Sequence, residues 1–140
     1  WIVKGLVEKT RLNLFDDVFF SPLHVSDLSD IVSELIKKQV IGLYNATSSN
    51  SLSKYDFGLM TADTFGLKSN NIVKSTIQEK KITVDRPLNM GLSSRKLSSI
   101  INKKIPTPKD SVRLLKQQYD NGWLSSIKGR PLQKDYHFWE

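Results

Sequence analysis

The sequence predicts a mixed α/β chain of helices and short strands, and three observations carry that reading. The 140 residues have ordinary charged and apolar fractions, 25% and 39%, which suit one domain with one core. Helical apolar spacing at Leu28, Ile31, Val32, Leu35 and Ile36 alternates along the chain with short extended runs. Pro, Gly and capping residues fall at the joins between these segments.

Each element follows from local chemistry. Ile2, Val3, Leu6 and Val7 fall at helical spacing and read as the end of a helix. Residues 12–15 form a short strand, and Asp16-Asp17 turn the chain. Residues 18–25 are extended again but broken by Pro22, which lacks a ladder N–H, so this segment is an edge, a bulge or a loop leaving the sheet. Ser26 reads as the N-cap of the clearest helix, which ends near Lys38. Asp27 and Asp30 sit in its first turn, at the positive helix end. Residues 40–46 follow as a strand, completing the strand–helix–strand order of a crossover unit.

Ser53 and Asp56 form a capping-box pattern for a helix that runs to Phe65 and stops at Gly66. Residues 72–77 read as a strand and residues 78–93 as a loop. Ser93 or Ser94 caps a short helix with apolar Leu97, Ile100 and Ile101. Thr107-Pro108-Lys109-Asp110 places a cap, a first-position Pro and a first-turn acid in order. Val112, Leu115 and Tyr119 would be that helix's inner face, with Gly122 past its end. Residues 125–140 mix basic and aromatic side chains without a period.

Composition narrows the function classes. The chain has no cysteine, so disulfide and thiolate chemistry are excluded. No apolar run approaches the ~20 residues of a membrane span, so no membrane partner is expected. The first seven residues are apolar but too short for a signal sequence, and the chain starts on Trp1, so a piece of a longer polypeptide is expected. The net charge of +7 permits an anionic partner. The basic residues are scattered, however, and no aromatic-and-basic stripe is visible, so solvated lysine is the simpler reading and no nucleic acid is expected. Asn45-Ala46-Thr47 matches a glycosylation sequon by chance, since it falls in a predicted buried strand.

The catalytic inventory is thin. The chain has no Gly-x-Ser-x-Gly elbow, no Walker loop and no Gly-x-Gly-x-x-Gly. His24 and His137 lack ligand-spaced partners, so no metal site is expected, and His24 reads as a half-buried structural histidine. Arg86 is different. It lies in a long loop, its guanidinium suits bidentate contact with phosphate, and Pro87 holds it extended. A solvated loop arginine is the competing reading.

Four stretches in order bear on that choice: "WIVKGLVEKTRLNLFDDVFFSPLHVSDLSDIVSELI", "GLYNATSSNSLSKYDFGLMTADTFGL", "DRPLNMGLSSRKL" and "IPTPKDSVRLLKQQY". Their Val-x-Asp-Leu step, Ser-x-Tyr-Asp-Phe helix start and Arg-Pro-x-Asn element resemble the C-terminal, sugar-nucleotide-binding part of extended short-chain dehydrogenases. The resemblance is to the dTDP-4-dehydrorhamnose reductase family in particular, and it runs from Trp1 to about Trp123.

The resemblance implies a division of labour. In such enzymes an N-terminal Rossmann domain binds NADH or NADPH, and a Tyr-x-x-x-Lys pair does the chemistry. The smaller C-terminal part binds the nucleotide-diphosphate sugar. By that resemblance residues 1–124 are the substrate-binding portion, 125–140 a tail, and the Rossmann domain lies outside this chain. Arg86 would face the diphosphate and Asn89 would shape its loop. Ser21 and His24 would border the sugar pocket.

This sequence departs from the family in lacking both the Gly-rich cofactor turn and Tyr-x-x-x-Lys, and in placing Phe19 and Phe20 where a polar residue is expected. The chain alone would therefore supply no catalytic or cofactor-binding residue. The parent would be a cytoplasmic oxidoreductase of dTDP-rhamnose and carbohydrate biosynthesis, with a homodimer left open. A related nucleotide-sugar epimerase or dehydratase, and a non-catalytic regulatory subunit of the same fold, are the alternatives.

Overall fold

In the computed structural model, which describes residues 1–80, 87–123 and 126, helices and strands alternate as the sequence predicts. The helices are α1 (Ile2–Val7), α2 (Val25–Lys37), α3 (Lys54–Phe65), α4 (Arg95–Ile101) and α5 (Pro108–Asp120). The strands are β1 (Leu12–Phe15), β2 (Phe19–Phe20), β3 (Leu52–Ser53), β4 (Ile72–Ser75) and β5 (Asn89–Met90).

One core forms where β1 and β4 pair in parallel, Leu12 opposite Ile72. Alternation sends Leu12, Leu14 and Ile72 to one face, where α1 and α3 cover them through Ile2, Leu6 and Ala62. Ser53 starts α3 by accepting from Asp56 N–H at 2.9 Å, and Gly66 ends it at φ 65°. Gly58 lets α3 lie close on β1, because a Cβ there would collide with Leu14. The Asn71 amide ties the α1–β1 connection to β4 by donating to the carbonyls of Gly5 and Thr10 at 2.9 and 2.6 Å.

A second core joins α2 to α4 through Ile31, Leu97, Ile101 and Ile105, with Leu23, Leu35 and Tyr44 packed against it. The small sheet beside it has β2 in the centre, antiparallel to β3 and parallel to β5. α5 packs on α3, and its capping box is complete: Thr107 Oγ1 accepts from Asp110 N–H, and Asp110 Oδ2 accepts from Thr107 N–H.

Several expectations change. α2 begins two residues early, at Val25, and its cap is His24, not Ser26. Ser26 Oγ instead accepts from Gln118 Nε2 at 3.0 Å. Of the predicted α2 stripe only Ile31 is fully buried and Leu35 half-buried, while Leu28, Val32 and Ile36 face outward. Residues 40–46 are not a strand, since no neighbouring strand meets them among the described residues, and Asn45 is exposed.

β4 stops at Ser75, two residues early. The stretch read as a loop contains a 3₁₀ turn at Gln78–Lys80 and then β5. On α5, Val112 points inward as expected, but Tyr119 is exposed and Gln118 takes the buried position. Arg86 and, apart from Ser126, the tail 125–140 lie outside the described residues. Among the described residues no helix is long and apolar enough to cross a membrane.

Candidate functional site

β2 and β5 run parallel with Phe19 opposite Asn89 and Phe20 opposite Met90, so both strands leave the sheet at the same end. Parallel strands that exit together form the edge at which α/β proteins place ligands. Ser21 follows β2 directly, and Gly91 and Leu92 follow β5. Ser21 Oγ accepts from Leu92 N–H at 3.3 Å, and Asn89 Oδ1 accepts from Gly91 N–H at 3.0 Å, an Asx turn. The structure thus brings together two of the four residues the sequence singled out.

Two residues passed over in the sequence hold this edge. Thr47 Oγ1 donates to the Ser21 carbonyl at 2.5 Å, and Asn45 Nδ2 donates to the Ser93 carbonyl at 3.3 Å. They belong to the sequon match, whose polar residues were the available signal. Gly91 is required by space: a Cβ would lie 2.9 Å from Ser51 Cβ and Oγ, and 3.0 Å from Asn89 Oδ1.

The edge offers donors. Asn89 Nδ2 has no partner among the described residues, and the Ser21 hydroxyl, which accepts from Leu92, keeps its own hydrogen to give. Around them Phe19, Leu88, Met90 and Leu92 are exposed, an apolar rim beside polar groups. Phe20 turns the other way and meets Phe57 edge-on, ring centroids 5.3 Å apart. Such an edge suits a ligand with both flat apolar surface and hydroxyl or anionic groups.

His24 is engaged in the fold. Its Nδ1 accepts from Ser26 N–H at 3.1 Å, and the His24 main-chain N–H donates to Ser111 Oγ at 3.1 Å. Ser111 in turn donates to Asp27 Oδ2 at 3.3 Å. Burial pushes the imidazole below its usual 6.5, with the Asp27 carboxylate opposing. The neutral ring therefore carries its proton on Nε2, the one nitrogen left for a ligand.

Other titratable groups are structural. Lys74 binds Asp16 at 2.8 Å, and that hydrogen bond raises the amine's pKa. The Asp17 carboxylate accepts from Ile77 N–H at 3.1 and 3.2 Å. No group of His, Cys, Asp and Glu among the described residues could hold a metal ion. An open groove of about 620 Å³ between α3 and α5, lined by Asp63, Lys109, Arg113 and Lys116 among others, lies apart from the β2–β5 edge and mixes both charges.

The family model for the RmlD substrate binding domain matches residues 2–121. The chain belongs to that family. As an RmlD substrate binding domain it shares its fold with dTDP-4-dehydrorhamnose reductase from Bacillus anthracis, solved in complex with NADP. The TM-score is 0.75 at 17% identity, over 84% of this chain and 41% of that one. The Yersinia enterocolitica dTDP-4-dehydrorhamnose reductase aligns with TM-score 0.70 and 19% identity, over 81% of this chain and 40% of that one.

A dTDP-glucose 4,6-dehydratase from Bacillus anthracis, solved in complex with NAD, aligns with TM-score 0.64 and 17% identity, over 86% of this chain and 38% of that one. The chain spans about two fifths of the length of these structures. A comparison with curated protein sequences finds no match. The RmlD domain here carries neither a Gly-x-Gly-x-x-Gly turn nor a Tyr-x-x-x-Lys pair.

Proposed function

We propose that this domain is the nucleotide-sugar-binding part of an NAD(P)-dependent sugar reductase of deoxysugar biosynthesis. The observation that carries the reading is the family match across residues 2–121, and the parallel β2–β5 edge lies within that span. In this reading the parent protein adds a Rossmann domain that holds NADPH or NADH. It works in the cytoplasm, and hydride passes there to a keto-sugar carbon. This chain binds and orients the sugar nucleotide and performs no bond chemistry.

Asn89 Nδ2 and the Ser21 hydroxyl donate to the ligand at the strand exits, the His24 Nε2–H reaches it from the start of α2, and Arg86 takes the diphosphate. Residues 125–140 stand outside the binding unit. A charge-assisted contact from Arg86 contributes about 2 kcal/mol, or roughly thirtyfold in affinity.

The test is calorimetric titration of the full-length parent with a dTDP-sugar, wild type against Arg86→Ala. A large loss of affinity is expected. Equal affinity would refute the assignment of Arg86, and no binding of any nucleotide-sugar by the wild type would refute the function.

A further inference from the structure

Two residues past Leu92 and two past Thr47, the chain borders a second cleft, open and about 390 Å³ in volume. Ser94, Arg95, Ser98 and Ser99 line it from α4 and its cap, Ser49 from the loop before β3, and Lys104 from the connection to α5. Arg95, Ser98 and Ser99 stand at i, i+3 and i+4, so they share one face of that helix. α4 ends on Asn102, whose φ of 53° reverses the chain. Lys103 then returns against Ser98, whose Oγ donates to the Lys103 carbonyl at 2.8 Å. Lys104 follows directly. Ser49 N–H donates to the Pro106 carbonyl at 2.9 Å, and Ser94 Oγ donates to the Ser48 carbonyl at 3.4 Å. Those two bonds hold the loop before β3 against both walls.

The cleft carries two cations and no acid. Among the described residues neither Arg95 nor Lys104 enters an ion pair, while Lys103 pairs with Glu34 at 3.2 Å. Lys104 also borders a separate cleft lined by Asp27, Asp30 and Glu34, yet it pairs with none of them. Asp110, whose carboxyl feels the Lys104 charge, is held in the Thr107 capping box. The α3–α5 groove is the opposite case. There Lys116 pairs with Asp120 at 2.6 Å and Arg113 with Asp110 at 3.8 Å, so its charge is met from within.

The hydroxyls complete the donor set. Ser49 Oγ donates to Asn50 Oδ1 at 3.3 Å. That bond and the 3.4 Å bond of Ser94 are both long for O–H···O, so either hydrogen can turn to a stronger acceptor. A guanidinium fork, an ammonium and two hydroxyls suit a tetrahedral oxyanion with several oxygens to satisfy and more than one charge to balance. We propose that this cleft binds a phosphate group, carried by inorganic phosphate or by a small phosphomonoester, at a site separate from the β2–β5 edge. Arg95 takes two oxygens, Lys104 balances the second charge, and Ser49 and Ser94 donate to the remaining oxygen. The proposal rests on α4 and its flanks and does not need the reductase reading.

The experiment is an amide NMR titration of the full-length protein at constant ionic strength, with inorganic phosphate in one arm, glucose 1-phosphate in another and chloride as the blank. Saturating shifts are expected at the amides of Ser49, Arg95, Ser99 and Lys104 in the phosphate arms only, and the tighter probe identifies the source of the phosphate. The double variant R95Q/K104Q changes two exposed side chains, so its melting temperature should stay put. Its phosphate affinity should fall at least about tenfold. Lys104→Glu alone should abolish the saturating shifts.

Shifts that rise without saturation, or that are equal in the wild type and R95Q/K104Q, overturn the proposal. So does saturable binding that survives R95Q/K104Q and is lost in Arg86→Ala, which would move the phosphate to the sugar-nucleotide edge.

Discussion

The main-chain N–H of Ser26 donates to Nδ1 of His24 at 3.1 Å, so the first turn of α2 closes on an imidazole and not on a hydroxyl or carboxylate. An imidazole accepts only while Nδ1 is unprotonated. The cap that positions α2 is therefore a titrating group.

Its pH dependence has a definite sign. Burial holds the folded pKa of His24 below 6.5, against the pull of Asp27, so folding favours the neutral ring. The contribution is complete above pH 6.5 and is lost as the pH falls through the folded value. Thermal melts should show stability declining as the pH falls below 6.5. His24→Asn, which caps without titrating, should flatten that decline, and His24→Ala should cost about 1 kcal/mol near neutrality. An unchanged slope in His24→Asn would remove the cap as its source.

Gly58→Ala opposes two effects. Alanine improves helix propensity by about 1 kcal/mol. The new methyl collides with Leu14, which is 2% exposed and has no room to withdraw. Overpacking typically costs about 1–3 kcal/mol, so a net loss is expected in urea denaturation. Leu14→Ala should cost less in the Gly58→Ala background than in the wild type, and additive losses would argue against the contact.

The capping box at the start of α5 can be read from one carboxyl. Hydrogen bonds from Thr107 hold Asp110 below its usual 3.8. Its contribution is present above that value and disappears as the pH falls through the lower folded one. Thr107→Ala should cost about 1 kcal/mol. NMR titration should then find the Asp110 carboxyl moved up toward its ordinary pKa, with Thr107→Ser leaving it low. A carboxyl that stays low in Thr107→Ala would contradict the assignment.

At the β2–β5 edge, Gly91→Ala drives a Cβ against Ser51 and Asn89. The Asx turn must open, so sugar-nucleotide affinity in the full-length parent should fall several-fold, about 1 kcal/mol, while the melting temperature changes little. Ser51→Gly removes the main obstruction and should restore part of the affinity. Loss of both stability and affinity, with no rescue, would make Gly91 a fold residue instead.

How much of this was legible depends on where each signal resides. Ser53, Asp56 and Gly66 bracket α3, and Thr107 and Asp110 open α5, through contacts within a few residues, so the local sequence suffices. β5 is two exposed residues whose strand character comes from Phe19 and Phe20, far away in the chain. Residues 40–46 show the reverse case: their alternation is strand-like, but a strand exists only where a neighbour pairs with it.

Ser26 looks like a cap because hydroxyls usually are, and only the backbone shows the helix starting two residues sooner, capped by His24. Ser21 and Asn89 came from a resemblance, since nothing near either residue announces the other. Asn45 and Thr47 stood out only as a chance sequon match, because nothing local shows that a polar side chain braces a carbonyl across the fold.

The parallel β2–β5 pairing bears on how the protein assembles. Ser21 and Leu92, which meet at the end of that pair, are 71 residues apart in sequence. Each strand there is only two residues long and offers too few contacts to offset the entropy of closing so large a loop. The contact must wait for α3 and the two cores to bring its ends together, which places it late on the folding route and slows that step. No truncated piece ending before Asn89 contains the edge, however well its helices form. Any ligand that binds there is therefore linked to the folding of the whole domain and should raise its melting temperature as a unit.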